Sequence, residues 1–107
     1  MNYTLHQLRI FAKVCEFQSV TKASEALFLT QPAVSLQLKK FQKEFEIPLT
    51  EVIGRQLYIT DFGRQIQVLA LEILERVDLI ESATDEFKGV LTGNLKIASA
   101  STGKYVI

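Results

Sequence analysis

Donor side chains are concentrated between Gln31 and Lys43, a segment with three lysines and no acidic residue. The amide of Gln31 suits a bidentate pair with adenine, and the hydroxyl of Ser35 can bond either a base or a phosphate. Lys39, Lys40 and Lys43 are flexible point charges, which suit phosphates better than base edges. The chemistry that these residue types offer is therefore noncovalent recognition of a nucleic acid.

One helix must position these side chains, and the sequence between positions 30 and 45 is typical of a helix. Thr30 is a candidate N-cap, and Pro32 falls in the first turn, where no helical N–H is lost. The face that carries Pro32 and Leu36 is basic, and a helix of this kind can lie in a groove of DNA. Apolar residues recur at i, i+4, i+7 and i+11, which predicts a buried stripe: Val34, Leu38, Phe41 and Phe45.

Each candidate contact on this face has an ordinary structural alternative. Gln31 can pair with a base or merely support the cap, and the lysines can bind phosphates or form a solvated face. Leu36 can contact a thymine methyl group, or it can be an exposed leucine that needs no explanation. The base-reading set that we expect is Gln31, Pro32, Ser35 and Leu36.

Two shorter helices are predicted upstream. Thr4 can cap a first helix over about residues 5–16, and Ser19 or Thr21 can cap a second over about residues 22–27. Phe28 then lies in a short turn before the third helix, where glycine is common in such motifs. Two helices joined by so short a turn, at about residues 20–39, predict a helix-turn-helix.

A β-hairpin is predicted after Pro48. Residues 49–53 and 56–60 are short and β-compatible, and Gly54-Arg55 between them can form a tight turn. Arg55, with Gln56 beside it, then lies near the tip of a wing at about residues 50–60. Arg55 can enter the minor groove of DNA, or it can be an ordinary arginine of a surface turn.

A long helix is predicted over about residues 62–87, capped by Thr60 or Asp61. At about 1.5 Å per residue it is roughly 40 Å long, and further leucines widen its apolar surface. A helix this long and apolar needs a partner, for which an identical chain is the simplest solution. A heptad seam of 4-3 spacing runs along it: Ile66, Ala70, Ile73, Val77, Ile80, Thr84 and Phe87.

The composition of the 107 residues limits the classes of function. The net charge is zero, so binding to nucleic acid must depend on a local asymmetry of charge. Residues 1–60 contain seven Lys or Arg and five Asp or Glu, whereas residues 61–91 contain three and seven. The single cysteine allows no disulfide within the chain, and no secretion signal or membrane span is visible, so we expect a cytoplasmic protein.

Catalysis and metal binding lack candidate residues. His6 is the only histidine, and no other ligand stands at metal-binding spacing from it. Cys15 lies on the apolar face of the first helix, where a small hydrophobic role is expected. Since no phosphate-binding glycine motif is present either, we expect no enzyme activity, no metal and no cofactor.

Three segments of the sequence now resemble one known family. These are LHQLRIFAKVCEFQSVTKASEALFLTQPAVSLQLKKFQKEFEIPL, GRQLYITDFG and GNLKIASAST. They are similar to LysR-type transcriptional regulators, and the densest similarity covers residues 27–37. The resemblance implies a mainly α fold: a winged helix-turn-helix over residues 1–60 and a dimerising linker helix over 61–88. Residues 89–107 would then be a hinge and the first strand of a truncated effector-binding domain.

The resemblance also implies roles for individual residues. The matched recognition-helix positions are Gln31, Pro32, Ser35 and Lys39, and the matched wing arginine is Arg55. Thr21 and Lys22 match the start of the helix that crosses the DNA backbone. The resulting phosphate-contact set is Thr21, Lys22, Thr30, Lys39, Lys40 and Lys43. A latent effector pocket is implied at Ser99, Ser101 and Thr102.

The chain departs from the family pattern at Leu36 and Val52, where arginine is common, and at Thr50, where phenylalanine is usual. Sequence-specific binding of double-stranded DNA, as an antiparallel dimer on an interrupted palindrome, is the function that the resemblance implies. A full-length protein would add a small-molecule effector and could form a tetramer. The alternative is a helical dimerisation module without DNA binding, which the zero net charge and the missing arginines favour.

Overall fold

The computed structural model describes residues 2–91. Three helices come first: α1 (Leu5–Phe17), α2 (Val20–Leu27) and α3 (Gln31–Gln42). A hairpin of β1 (Thr50–Ile53) and β2 (Gln56–Ile59) follows, and then the long helix α4 (Asp61–Leu91). This order confirms the expected mainly α fold with three helices, a hairpin wing and a long helix. The chain divides into two compact units, Met1–Leu74 and Glu75–Ile107.

Hydroxyl side chains begin the first three helices. Thr4 forms a capping box with Gln7, because each side chain accepts the backbone N–H of the other residue. Ser19, not Thr21, caps α2 by accepting the N–H of Lys22 at 3.1 Å, so α2 begins two positions before the predicted residue 22. Thr30 caps α3 by accepting the N–H of Ala33 at 3.3 Å, as predicted.

The core lies where α1 and α3 meet. Phe11, Val14, Val34, Phe41 and Leu49 are all completely buried. Each such side chain contributes about 1.5–3 kcal/mol through burial, which makes this cluster the main support of α3. The predicted stripe of α3 is therefore confirmed at the positions that lie within the helix.

α3 ends at Gln42, so the prediction that it continues to Phe45 is wrong. Turn-type hydrogen bonds replace the helix there, since the N–H of Phe45 donates to the Gln42 carbonyl at 3.1 Å. The ring of Phe45 nevertheless packs on Phe41, Tyr3 and Phe62, with centroids 5.1, 6.0 and 6.1 Å away. The apolar spacing of Phe45 therefore indicates that its ring is packed, and does not indicate that the helix continues to it.

The wing is a two-stranded antiparallel sheet in which Val52 pairs with Leu57 and Ile53 with Gln56. Gly54 makes the turn with φ of 65°, a conformation that L side chains rarely adopt. Each strand is one residue shorter at its outer end than predicted. Leu49 is buried in the core, and the hydroxyl of Thr60 bonds Pro48 and Gly63.

Thr60 joins the wing to α4. Its hydroxyl donates to the Pro48 carbonyl at 2.8 Å and accepts the N–H of Gly63 at 2.9 Å, which caps α4. Gly63 is required by packing: a Cβ there would overlap the Leu49 carbonyl oxygen and lie 2.8 Å from Cγ2 of Ile59. The chain therefore crosses itself closely at this point.

α4 is helical as far as Leu91, the last described residue, so Gly89 does not end it and residues 89–91, predicted as part of a hinge, are helical. The prediction that the first two seam positions face another chain is wrong, because this chain's own core covers them. Ala70 is 1% exposed within the core of the first unit, and Ile66 packs against that core. The predicted strand after residue 93 and the latent pocket at Ser99, Ser101 and Thr102 lie outside the described residues.

Candidate nucleic-acid interface

The outer face of α3 carries every residue predicted to read bases. Gln31, Pro32, Ser35 and Leu36 are all exposed, and Leu36 is 51% exposed despite its apolar side chain. Across the helix, Val34 and Phe41 are fully buried. Because one side of α3 is held in the core, the opposite side is the one that can enter a groove.

The lysines predicted to contact phosphates extend this face. Lys39, Lys40 and Lys43 are exposed, and the first two lie in the last turn of α3. Ser35, Lys39 and Lys43, together with Leu38 and Gln42, line an open depression of about 390 Å³. Two of these five residues are cations and none is acidic, so the depression favours an anionic or hydrogen-bond-accepting surface.

α2 adds a second set of groups at its own N-terminus. Thr21 and Lys22 are exposed in its first turn, next to the Ser19 cap. Backbone N–H groups and the helix dipole at such an end attract phosphates. These two residues lie on a different element from the lysines of α3, and their predicted contact with the DNA backbone stays a prediction.

The junction between α2 and α3 is tight. Ala23 is completely buried, and the Ser24 hydroxyl donates to the Thr21 carbonyl at 2.7 Å instead of remaining unpaired. Phe28 closes α2 in the left-handed conformation (φ 57°), and the N–H of Leu29 donates to the Ser24 carbonyl at 2.9 Å. This arrangement sets the crossing of the two helices and thus the position of the Thr30 cap.

The wing presents Arg55 and Gln56 at its exposed tip. Two hydrogen bonds that involve side chains attach the wing to the helices. The amide of Gln18 donates to the Leu57 carbonyl at 3.5 Å, and the Thr50 hydroxyl donates to Oε1 of Gln42 at 2.8 Å. The wing residues and the donors of α3 therefore belong to one compact unit, although on separate elements.

Three residues of this region escaped prediction from the sequence. Gln42 lines the depression on α3, and Gln7 bonds Gln37 between α1 and α3. For Gln42 a signal was present, since it follows Gln31, Ser35 and Lys39 on one helical face at spacings of four, four and three. The bond between Gln7 and Gln37 joins residues far apart in sequence, and helical periodicity cannot predict it.

Other chemistries find little support in residues 2–91. Burial raises the pKa of the Cys15 thiol from 9.0 to about 12, against a smaller lowering by the Arg64 cation, so the thiol stays protonated and unreactive at neutral pH. Within this range no group of three His, Cys, Asp or Glu side chains could hold a metal ion. Over the same residues, no helix has the length and apolar character that crossing a membrane requires.

Comparison with known proteins bears directly on this site. Residues 5–64, which include all of the helix-turn-helix and the wing, match the bacterial regulatory helix-turn-helix proteins of the lysR family. The chain is 41% identical over 106 residues to the transcriptional activator CmpR of Synechocystis. The aligned region covers 99% of this chain and 35% of that protein. It is 38% identical over 105 residues to a RuBisCO operon transcriptional regulator of Allochromatium vinosum, again covering 35% of the relative. The chain thus spans about a third of the length of these relatives.

Solved structures give the same result. The DNA-binding domain of BenM, crystallised with catB site 1 DNA, superposes with a TM-score of 0.74 at 34% identity, covering 79% of this chain and 96% of that chain. Oxidised OxyR of Corynebacterium glutamicum superposes with a TM-score of 0.78 at 25% identity, covering 83% of this chain and 27% of that chain. The relatives are named as transcriptional regulators and not as enzymes. With its matched helices, its wing and its exposed recognition face, this chain belongs to the LysR family of bacterial regulatory helix-turn-helix proteins.

Proposed function

We propose that this chain binds double-stranded DNA with sequence preference, through α3 in the major groove. The supporting observation is the face of α3, which is exposed, lysine-rich and free of acids from residue 31 to 43, opposite a fully buried stripe. Gln31, Pro32, Ser35 and Leu36 lie towards its N-terminus and are the base-reading residues of this proposal, because N-terminal residues of a recognition helix reach base edges.

Phosphate contacts would hold the helix in the groove. We assign them to Thr30, Lys39, Lys40 and Lys43 around α3 and to Thr21 and Lys22 at the start of α2. Arg55, with Gln56 beside it, is assigned to the minor groove, where a narrow A·T-rich stretch attracts arginine. A single head offers few cations, so its affinity should be low and should decrease with salt by about 0.9 per neutralised phosphate in a log–log plot.

A dimer would present two recognition helices to an interrupted palindrome. α4 supports this proposal because its apolar side chains remain exposed over both of its parts. Ile73 is 41% exposed in the first unit, while Ile80 and Phe87 are 65% and 71% exposed in the second. Val77 and Thr84 complete the seam, which would bring a second head near the DNA and raise affinity through effective concentration.

A DNA-binding titration tests the main proposal. Fluorescence anisotropy on a duplex from the gene's own upstream region should show binding that is lost with salt and survives unrelated competitor DNA. The double variant Lys39→Ala/Lys43→Ala should reduce both affinity and the salt slope, whereas Lys88→Ala, an exposed lysine of α4, should change neither. Absence of binding at low salt would refute the proposal.

Sedimentation tests the dimer separately. Ile80→Asp should shift the chain towards monomer, because it places a charge in the proposed seam. Leu71→Asp is the matched control, since Leu71 is 50% exposed on α4 but lies outside the heptad positions. If both substitutions shift the chain towards monomer to the same extent, the heptad positions do not form the dimer contact.

A second candidate is a dimerisation module without DNA binding. The zero net charge and the exposed apolar side chains of α4 favour it. A chain that sediments as a dimer yet fails to bind DNA at low salt would support this candidate. We assign a small-molecule effector and a tetramer only to a longer regulator, and a cytoplasmic location follows from access to DNA.

A further inference from the structure

We infer that Gln42 donates a hydrogen bond to the DNA backbone, and that Thr50 is the residue that positions its amide. The inference rests on the proposed DNA binding by α3 and adds a contact at the opposite end of that helix. It concerns one side-chain pair: the Thr50 hydroxyl, at the start of the wing, donates to Oε1 of Gln42 at 2.8 Å.

The bond leaves the donor half of the amide available. A glutamine side chain has one carbonyl oxygen and an NH₂ group with two N–H donors. Since Thr50 occupies the oxygen, the NH₂ group is directed away from the hydroxyl and can donate to an acceptor outside the chain. Phosphate oxygens are acceptors of this kind, and glutamine side chains are among their usual donors.

Gln42 also lies on the correct face. It continues the row of Gln31, Ser35 and Lys39, and it lines the open depression beside Lys39 and Lys43. A partner that contacts Ser35 and Lys39 therefore passes over the amide of Gln42. The two lysines also make the local field favourable for an anion.

The position of Gln42 along α3 favours a contact with a phosphate over a contact with a base. Gln42 is eleven positions after Gln31, so it is about 16 Å further along the axis. The major groove is about 12 Å wide. A helix that enters the groove by its N-terminal end therefore has its last turn at the phosphates that border the groove.

The C-terminal end of a helix normally repels an anion, because its last carbonyls carry partial negative charge. Here three of the last four carbonyls accept backbone hydrogen bonds. Backbone N–H groups of Lys43, Glu44 and Phe45 donate to the carbonyls of residues 39, 41 and 42 at 3.1–3.2 Å. The Glu44 carboxylate accepts the N–H of Asn2 at 2.8 Å, so it is bonded to the N-terminal segment that precedes α1.

A purely structural tie between α3 and the wing is the competing explanation, and a gain of charge distinguishes the two. Gln42→Lys should increase affinity at low salt and steepen the slope of log K against log salt by about 0.9, since it adds one phosphate neutralisation. Gln65→Lys is the matched control, because Gln65 is exposed on α4 and receives the same added charge. It should leave the slope unchanged.

Two further substitutions complete the experiment, which is fluorescence anisotropy with the 107-residue chain and the same upstream duplex. Gln42→Glu should reduce affinity by at least about tenfold, because it opposes a carboxylate to a phosphate. Thr50→Val should reduce affinity about three- to tenfold by freeing the amide, while Thr50→Ser keeps the donor and the affinity. Circular dichroism confirms that each variant is folded.

The outcomes separate the inference from the function on which it rests. Wild-type binding with an unchanged salt slope for Gln42→Lys would overturn the contact and leave the DNA-binding proposal intact. A steeper slope with equal affinities for Thr50→Val and Thr50→Ser would overturn only the positioning role of Thr50. Failure of both wild type and Gln42→Lys to bind at low salt would overturn the proposed function and the inference together.

Discussion

The side-chain amide nitrogen of Gln7 lies 3.1 Å from the side-chain oxygen of Gln37 and donates to it. Gln7 is 7% exposed, and its own oxygen accepts the backbone N–H of Thr4 at 3.0 Å. The same glutamine therefore completes the cap of α1 and bonds the recognition helix. This pair fixes how far α3 is shifted along α1, which apolar contacts alone define less sharply.

Gln37→Leu is expected to destabilise the chain by about 1–3 kcal/mol, because it leaves the buried amide of Gln7 without its acceptor. Urea denaturation followed by circular dichroism measures this effect. Gln31→Leu provides the control, since Gln31 is exposed and should change stability by less than about 0.5 kcal/mol. Equal stability of the two variants would show that water replaces the lost acceptor.

Phe28→Gly is expected to stabilise the chain by about 1 kcal/mol, because glycine adopts the left-handed conformation without the steric cost of a Cβ. Phe28 is 95% exposed, so little burial is lost. Gln18 also has a positive φ, but its amide bonds the wing, so Gln18→Gly should gain less. Thermal denaturation of the two variants gives the comparison, and a loss of stability in Phe28→Gly would reveal a contact made by the ring.

Gly63→Ala is expected to cost about 2–3 kcal/mol or more, since the new methyl group meets a backbone carbonyl that cannot rotate away. An exposed position in the same helix, Gln65→Ala, should be neutral or slightly stabilising because alanine favours helix. Denaturation midpoints of both variants test the prediction. A neutral Gly63→Ala would mean that Leu49 and Ile59 can move away from α4 without loss of stability.

Stability is expected to decrease with rising pH between about 9 and 12 through Cys15. Its pKa is raised from 9.0 to about 12 in the folded chain, so the folded state holds the proton more tightly than the unfolded state there. The contribution is complete below pH 9 and is lost as pH increases towards the folded pKa. Urea denaturation at pH 8 and pH 10 should show a larger loss for wild type than for Cys15→Ala, and equal losses would contradict the assignment.

Leu36→Ala is expected to lose the affinity that a thymine methyl group contributes, because Leu36 is exposed among the proposed base readers. Wild type should bind a thymine-containing site more tightly than the same site with uracil. The variant should lose most of that difference. An equal loss on both sites would show that Leu36 contacts no methyl group.

The starts of α1 and α3 were predictable from single residues, whereas the start of α2, several helix ends and the long-range bonds were not. Thr4 and Thr30 were identified as N-caps from the sequence, because a threonine directly precedes each helical pattern. Ser19 and Thr21 are both possible caps for α2 in the sequence, and the structure uses Ser19. The sequence places Phe28 in the turn between α2 and α3, but the left-handed conformation of this phenylalanine is known only from the structure.

The candidate site shows the same division. Periodicity alone separates the buried stripe of α3 from its exposed face, because both follow from one helical period. It cannot show that Gln42 bonds Thr50, because that bond depends on how the wing folds back onto α3. Periodicity also placed Ala70 in a seam with another chain, although the head of its own chain covers it.

Thr60 makes the wing and the start of α4 a single unit of local opening. Its N–H donates to the Leu49 carbonyl at 3.1 Å, and its own carbonyl accepts the N–H of Arg64 at 2.9 Å. Its hydroxyl makes two further bonds, to Pro48 and from Gly63. A fluctuation that frees the end of β2 therefore also uncaps α4. The amide protons of Thr60, Gly63 and Arg64 are therefore expected to exchange with solvent in one cooperative event, and the wing should lose its orientation only when the first turn of α4 opens.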